Sequence, residues 1–182
     1  PINMTFEQAA AVPVGGLTAQ AFLRRAGLRG GERILVHGAA GSVGTFAVQL
    51  ARHLGAQVTG LCSTPNVALV KSLGATDVVD YTREEFTDRG PVYDVVFDAA
   101  GRASAAHCKR ALRSGGRFVS VNGSARLQAG DLDKLKVLVE AGALTSVIDR
   151  RYSLEQIGEA HRYVEQGHKK GNVVITVAHE GD

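Results

Sequence analysis

A turn rich in small residues follows an apolar run near the start of the chain. The segment from Ile34 to Gly44 reads ILVHGAAGSVG. Gly41 would let a pyrophosphate approach the backbone, and Gly44 would let a helix pack closely against the strand before it. Free N–H groups at the start of that helix would attract the negative charge. The turn therefore predicts a dinucleotide site, with Ala39 in place of the first glycine of the G-x-G-x-x-G pattern.

The residues after the second apolar run decide which dinucleotide fits this turn. A carboxylate about 20 positions further on would bind the ribose 2′-hydroxyl of NAD. No Asp or Glu occurs from Arg33 through Thr76, and the second run ends in the residues CSTPN from Cys62 to Asn66. Hydroxyl and amide groups tolerate a 2′-phosphate, whereas a carboxylate would repel it. We therefore expect no carboxylate beside the 2′ position and predict NADP(H) rather than NAD(H) as the cofactor.

Short β-branched runs alternate with helix-period segments from Arg33 onward, which indicates parallel βαβ units. These units predict an α/β fold of the Rossmann type, a doubly wound parallel sheet with helices on both faces. The glycine turn alone is a weak signal, since methyltransferases and simple βα corners share it, but the surrounding units strengthen it. The expected strands are Ile34–Val36, Gln57–Leu61, Asp77–Tyr81, Tyr93–Phe97 and Arg117–Val121.

The front of the chain does not follow this alternation. Thr5 and Gln8 have the spacing of a capping box, which predicts a short first helix. A second helix is expected from about Leu17 to Ala26, with Gly27 as its stop signal. The first residue is proline rather than methionine, and we expect the natural chain to continue upstream.

The back of the chain also has its own pattern. A strand-like run at Ser146–Ile148 precedes a second capping-box spacing, Ser153 with Gln156. A helix ending at Gly167 and a last strand from Val173 to Val177 are expected to follow. This segment is therefore predicted to contain one helix and two short strands that lie outside the βαβ alternation.

Composition excludes several function classes. The chain has 182 residues, of which 45% are hydrophobic and 21% charged, enough for one ordinary core. No apolar run is long enough for a membrane helix, and no signal peptide opens the chain. The net charge of +3 is scattered and aromatic residues make up only 5%, which argues against nucleic-acid binding. Two cysteines form no disulfide framework, and we expect a cytoplasmic protein.

The sequence contains little that would support catalysis by a metal ion, a cysteine or a tyrosine–lysine pair. There is no Cys-x-x-Cys or His-Glu-x-x-His spacing, so no zinc or other metal site is predicted. His107 and Cys108 are adjacent, and a helix would turn them about 100° apart, as a surface imidazole and a core thiol. Cys62 is expected to be a small buried filler. No tyrosine has a lysine four residues later, so the catalytic residues remain unknown.

Several motifs in fixed order resemble one family over nearly the whole chain. They are the segments 14–19 (VGGLTA), 36–44 (VHGAAGSVG), 73–75 (LGA), 79–81 (VDY), 97–101 (FDAAG) and 171–174 (GNVV). On these residues the chain resembles the nucleotide-binding domain of a medium-chain dehydrogenase/reductase, of the quinone-oxidoreductase type. The resemblance implies hinge helices over 1–30, the NADP(H)-binding Rossmann domain over 31–143, and a segment over 144–182 that returns toward a catalytic domain.

The resemblance also implies roles for the residues at the strand ends. The glycine turn would hold the pyrophosphate, the end of the second strand with Tyr81 would surround the 2′-phosphate, and the ends of the fourth and fifth strands would approach the ribose and nicotinamide. Asn122-Gly123 is equally well explained as a plain turn. The predicted cofactor residues are Ala40, Gly41, Ser42, Val43, Gly44, Ser63, Thr64, Asn66, Tyr81, Ala99, Ala100, Gly101, Asn122, Gly123 and Ser124.

Two departures from the family pattern shape the functional prediction. Family members begin with a GroES-like catalytic domain that is largely absent here, and Gly123 reaches the helix near Asp131 almost at once. The second departure shortens the strand at which relatives form a homodimer. The expected activity is zinc-independent hydride transfer between NADPH and a quinone, an enone or an enoyl thioester, with this chain incomplete for catalysis.

Two other hypotheses stay open at this point. One is a stand-alone module that binds or senses NADP(H) without turnover. The other is an S-adenosylmethionine methyltransferase, which shares the glycine turn but would need an acidic residue at the end of the second strand.

Overall fold

The computed structural model describes residues 1–177, and five strands form its central sheet. They are β1 (Arg33–His37), β2 (Gln57–Cys62), β3 (Asp77–Asp80), β4 (Tyr93–Asp98) and β5 (Leu112–Ser120). Their order across the sheet is β3-β2-β1-β4-β5, and every neighbouring pair is parallel. The winding reverses between β1 and β4, which opens a crevice at their carboxyl ends. The predicted Rossmann-type α/β fold is confirmed.

Helices cover both faces of the sheet. They are α1 (Phe6–Ala26), α2 (Ser42–His53), α3 (Val67–Ser72), α4 (Ala105–Lys109) and α5 (Asp131–Glu140), whereas α6 (Ile157–Glu165) packs within the C-terminal segment. Side chains of α1, α2, α3 and α5 join the larger core on one face. On the other face, α4 and the short 3₁₀ turn Phe86–Arg89 cover a smaller core.

Alternation along β1 divides its residues between these two cores. Ile34 and Val36 face the larger core and Leu35 faces the smaller one, and all three are fully buried. This pattern is typical of a parallel strand covered on both faces. In α4, Cys108 is fully buried while the side chain of His107 is 38% exposed, as the helical spacing predicted.

The first helix differs from its prediction. The capping box at Thr5 and Gln8 and the left-handed Gly27 at the end are confirmed, but one continuous helix runs between them instead of two. Pro13 lies on the exposed side of α1. A Cβ at Gly15 would lie 2.7 Å from the Phe46 ring, so the glycine allows α1 to pack closely against α2 rather than breaking the helix.

The C-terminal segment forms a separate two-stranded parallel sheet, made of β6 (Ile148–Ser153) and β7 (Asn172–Thr176). The predicted strand at 146–148 is therefore wrong in position, because pairing with β7 selects the polar residues that follow Ile148. The capping box at Ser153 and Gln156 is confirmed at the short turn before α6. Strand β5 also begins earlier than predicted, since Leu112 pairs with Tyr93.

Candidate functional site

The carboxyl ends of the five parallel strands meet at one edge of the sheet, and every predicted cofactor residue follows such an end. We define two corners at this edge. The inner corner follows β1, β4 and β5 and contains residues 37–44, 98–103 and 120–124. The outer corner follows β2 and β3 and contains residues 61–66 and 80–83. In open α/β sheets, ligands bind in the crevice outside these ends.

The glycine turn of the inner corner opens α2. Gly41 is the N-cap of this helix, no side chain caps it, and the first turn contains no acidic residue. A Cβ at Gly44 would lie 2.0 Å from the carbonyl oxygen of Gly38, whereas one at Gly41 would lie 3.4 Å from that oxygen. Gly44 is therefore needed for helix packing, and Gly41 keeps the positive helix end open to an anion.

Contacts join the glycine turn to the loops after β4 and β5. Gly38 has a φ of +75°, and a Cβ there would lie 2.8 Å from the Ala100 Cβ. The Asn122 side chain donates a 2.7 Å hydrogen bond to the Gly101 carbonyl oxygen. The backbone N–H of Gly123 donates to the carbonyl oxygen of Ser120 at 2.9 Å. Asn122-Gly123 thus forms a turn and also places an amide against the β4 loop.

A buried carboxylate, for which no role was predicted from the sequence, organises the inner corner. Asp98 ends β4, is fully buried, and pairs with Nδ1 of His37 at 2.9 Å. The Ser120 hydroxyl donates to it at 2.9 Å, and the backbone N–H groups of Ala100 and Ala103 donate at 3.2 and 3.1 Å. Burial opposes ionisation, but these hydrogen bonds outweigh it and lower the pKa of Asp98 to about 2. The role of Asp98 could have been predicted from its position in the sequence, directly at the end of a buried strand.

The outer corner brings together the residues predicted for the 2′-phosphate. The Asn66 amide donates to the Ser63 hydroxyl at 3.1 Å. The Tyr81 backbone N–H donates to the Cys62 carbonyl oxygen at 3.1 Å, and the Tyr81 side chain is exposed. A hydroxyl, an amide and a phenol therefore lie around the ends of two neighbouring strands.

The outer corner also contains a carboxylate, contrary to the sequence-based expectation. Asp80 ends β3 directly beside Cys62. Its carboxylate accepts hydrogen bonds from the hydroxyls of Thr64 at 2.5 Å and Thr82 at 2.7 Å. The Thr64 hydrogen bond is the main cause of its lowered pKa, and Arg83 also contributes. The stretch 33–76 lacks acidic residues, but the neighbouring strand supplies one across the sheet.

A lysine from the C-terminal segment reaches the glycine turn. Lys169 Nζ donates to the Ser42 hydroxyl at 2.6 Å and to the Gly171 carbonyl oxygen at 2.7 Å. Ser42 is the first residue of α2, 127 positions away in sequence. No local pattern in the sequence indicates this contact, because it depends on how the C-terminal segment packs.

A cavity of about 330 Å³ lies between the two corners. His37 and Leu61 line it at the ends of β1 and β2, and Tyr81, Phe86 and Arg102 line its other sides. Leu61 and Phe86 give it apolar surface, whereas Glu84, Glu85, Arg102 and His107 add polar and ionisable groups. Such a cavity is suited to a flat, partly polar ring system.

Thiols and metal ligands contribute little to this site. Cys62 and Cys108 are free and buried, and burial raises the pKa of each to about 11. Both are therefore protonated fillers at neutral pH, as predicted. Within residues 1–177, no three His, Cys, Asp or Glu side chains are grouped to hold a metal ion. In the same residues, no helix combines the length and apolar character needed to cross a membrane.

Comparison with known families identifies the family to which the domain around the five-stranded sheet belongs. A family model described as zinc-binding dehydrogenase matches residues 42–148, and a second model of the same description matches residues 123–175. The chain belongs to the zinc-binding dehydrogenase family. The resemblance to a medium-chain dehydrogenase/reductase of the quinone-oxidoreductase type is thereby confirmed, and the methyltransferase hypothesis is dropped.

Individual relatives place this dehydrogenase domain among reductases. The chain is 36% identical to 2-methylene-furan-3-one reductase of Solanum lycopersicum and 35% identical to the chloroplastic NADPH-dependent alkenal/one oxidoreductase of Arabidopsis thaliana. Each match covers 96% of this chain and 48% of the relative, so the chain spans about half the length of these proteins. The quinone oxidoreductase of Coxiella burnetii superposes with a TM-score of 0.82 at 29% identity, covering 96% of this chain and 62% of that structure.

These findings establish an oxidoreductase family and leave finer expectations open. Zinc independence stays a prediction, as does the cytoplasmic location, since the Arabidopsis relative is chloroplastic by name. The homodimer and the absence of nucleic-acid partners also stay predictions.

Proposed function

We propose that this chain is the NADP(H)-binding part of a zinc-independent oxidoreductase. It would transfer hydride between NADPH and a quinone, an enone or an enoyl thioester. The open positive end of α2 at Gly41 is the observation that carries the proposal, because it is a site for the pyrophosphate of a dinucleotide. The names of the alkenal/one and quinone oxidoreductases support the substrate class.

The inner corner would bind the centre of the cofactor. Ala40 to Val43 would hold the pyrophosphate, with the backbone N–H groups at the start of α2 as donors. The absence of an acidic residue from the first turn of α2 fits an anion there. Gly44 keeps the turn close to the sheet, and Ala99–Gly101 with Asn122–Ser124 would border the ribose and nicotinamide. Asp98 would act through these loops as a positioning residue.

The outer corner would select the cofactor. Ser63, Thr64, Asn66 and Tyr81 would surround the ribose 2′ position, and the cavity lined by His37 and Leu61 would take the adenine. We propose that the site binds NADP(H) more tightly than NAD(H). The negative charge of Asp80, which lies beside Thr64, would reduce this difference in affinity.

The cofactor, when bound, supplies the hydride chemistry, and this chain supplies binding and orientation. Among residues 1–177, neither corner contains an acid–base pair that we assign to catalysis, and the catalytic residues stay unknown. We propose the division into 1–30, 31–143 and 144–182 on the basis that β6 and β7 form a sheet of their own. Activity with an acceptor is expected to be low for this chain alone, since one domain leaves the nicotinamide open to water.

Gly41→Val tests the proposed phosphate turn. A valine Cβ fits the folded chain, because its nearest neighbour would be the Gly38 carbonyl oxygen at 3.4 Å, but its branches would fill the space of the pyrophosphate. We expect titration of NADPH fluorescence to show binding by the wild type and none by the variant, with unchanged circular dichroism.

Gly158→Val is a matched control in α6, where a Cβ would meet only Arg162 at 3.9 Å. It should bind NADPH like the wild type. Normal NADPH binding by Gly41→Val would place the phosphate turn elsewhere.

A further inference from the structure

The C-terminal loop before β7 is tied to the glycine turn by backbone contacts. Gly171 N–H donates to the Ala40 carbonyl oxygen at 2.7 Å, and Gly171 also bridges to Gly41. Gly171 has a φ of +47°, and a Cβ there would lie 2.3 Å from the Val147 carbonyl oxygen. Only glycine fits this position, and its backbone fixes the loop against the start of α2. Lys169 is therefore held at the turn by the fold.

The placement of this lysine is electrostatically unfavourable in the absence of an anion. A cation beside the N-terminus of a helix meets the positive end of the helix dipole. In the part of the chain covered by residues 1–177, no carboxylate oxygen lies within 4 Å of Lys169 Nζ. Asp149 attracts it from further away, but its carboxylate accepts from Tyr163 at 2.5 Å and from the Lys170 N–H at 3.0 Å.

Burial adds to this cost. Loss of hydration lowers the pKa of Lys169, with Asp149 opposing the shift only in part. Its two hydrogen-bond acceptors, the Ser42 hydroxyl and the Gly171 carbonyl, are neutral. A half-buried ammonium and an uncapped helix end thus lie side by side, and an anion bound between them would stabilise both.

We propose that Lys169 is a cationic residue of the cofactor site and binds the pyrophosphate together with the backbone N–H groups at the start of α2. This inference rests on the proposed NADP(H) binding and assigns a role to a residue outside the glycine turn. In the bound state, Lys169 would exchange a neutral acceptor for a phosphate oxygen. Hydrogen bonds between charged groups are the stronger ones, so the exchange favours binding.

Lys169→Gln tests this assignment, because glutamine removes the charge and keeps an N–H donor on a side chain that is one atom shorter. The matched control is Lys170→Gln, which changes the net charge equally on the neighbouring residue. Binding of NADPH and of adenosine 2′-monophosphate, which lacks the pyrophosphate, is measured by calorimetric titration. Circular dichroism verifies the fold, and Lys169→Met serves as a second variant if the glutamine variant is unfolded.

We expect Lys169→Gln to weaken NADPH binding about tenfold or more, the lower end for one hydrogen bond to a charged group. Binding of adenosine 2′-monophosphate should not change, and Lys170→Gln should match the wild type for both ligands. Unchanged NADPH affinity, or an equal loss for both ligands, would overturn the role of Lys169. Failure of the wild type to bind NADPH would instead overturn the proposed function, and the role of Lys169 with it.

Discussion

The inner and outer corners each have one aspartate at the end of a strand, and the two carboxylates differ in their surroundings. Asp98 is fully enclosed and accepts hydrogen bonds from a histidine, a serine and backbone N–H groups of its own loop. Asp80 is 9% exposed and accepts from the hydroxyls of Thr64 and Thr82. Asp98 is therefore hydrogen-bonded to the surrounding fold, whereas Asp80 is hydrogen-bonded to Thr64, a residue predicted to contact the cofactor.

This difference suggests separate roles for the two corners, one in the affinity for a dinucleotide and the other in the choice between NADP(H) and NAD(H). At the inner corner, Asp98 fixes the loops, while the glycine turn and Lys169 would present positive charge to the pyrophosphate that NADP(H) and NAD(H) share. At the outer corner, Asp80 would place negative charge beside the ribose 2′ position, where the two cofactors differ. We infer that the inner corner determines how tightly a dinucleotide binds and the outer corner determines which one.

The largest expected effect comes from Asp98→Asn. An amide nitrogen would face donors from His37, Ser120 and the backbone, and leaving them unpaired in the interior costs about 2–4 kcal/mol of unfolding free energy. Urea unfolding followed by circular dichroism measures this loss. The matched variant Asp80→Asn should lose less, because its site is partly open to water.

The pH dependence of stability checks the same assignment. The pKa of Asp98 in the folded chain is about 2, below its ordinary value, so the ionised group stabilises the fold above about pH 4. That contribution should disappear as the pH falls from about 4 to 2. The wild type should lose more stability over this range than Asp98→Asn, and parallel curves for the two proteins would contradict the role of Asp98.

A smaller effect on selectivity is expected from Asp80→Asn. The change removes a negative charge beside the 2′ position and frees the Thr64 hydroxyl from its 2.5 Å hydrogen bond. The affinity for NADPH should increase by up to about tenfold, while the affinity for NADH stays close to that of the wild type. Fluorescence titration with both cofactors measures the ratio. An equal change for both would show that Asp80 does not face the 2′ position.

The sequence was sufficient to predict features that depend on local pattern. The glycine turn, the strand before it and the helix after it follow from residues 34–54, and the parallel sheet follows from the repetition of such units. The structure places all predicted cofactor residues at the carboxyl ends of these strands. Their roles as ligands stay predictions.

Contacts between distant segments were beyond prediction. Asp80 approaches Thr64 only because β2 and β3 are neighbours in register, and Lys169 meets Ser42 only because Gly171 fixes the last loop. Two separate helices were predicted between Thr5 and Gly27, whereas close packing of Gly15 against Phe46 accompanies a single continuous one. Each of these missed or wrong predictions concerns a feature that depends on tertiary packing.

The most direct test of the account compares the affinities of the unmodified chain for NADPH and NADH. Titration of nucleotide fluorescence under identical salt and pH gives both dissociation constants. The account predicts that both cofactors bind, because the inner corner recognises what they share, and that NADPH binds more tightly, because Ser63, Asn66 and Tyr81 can contact its 2′-phosphate. Equal affinities, or tighter binding of NADH, would contradict the assignment of NADP(H) and the role given to the outer corner.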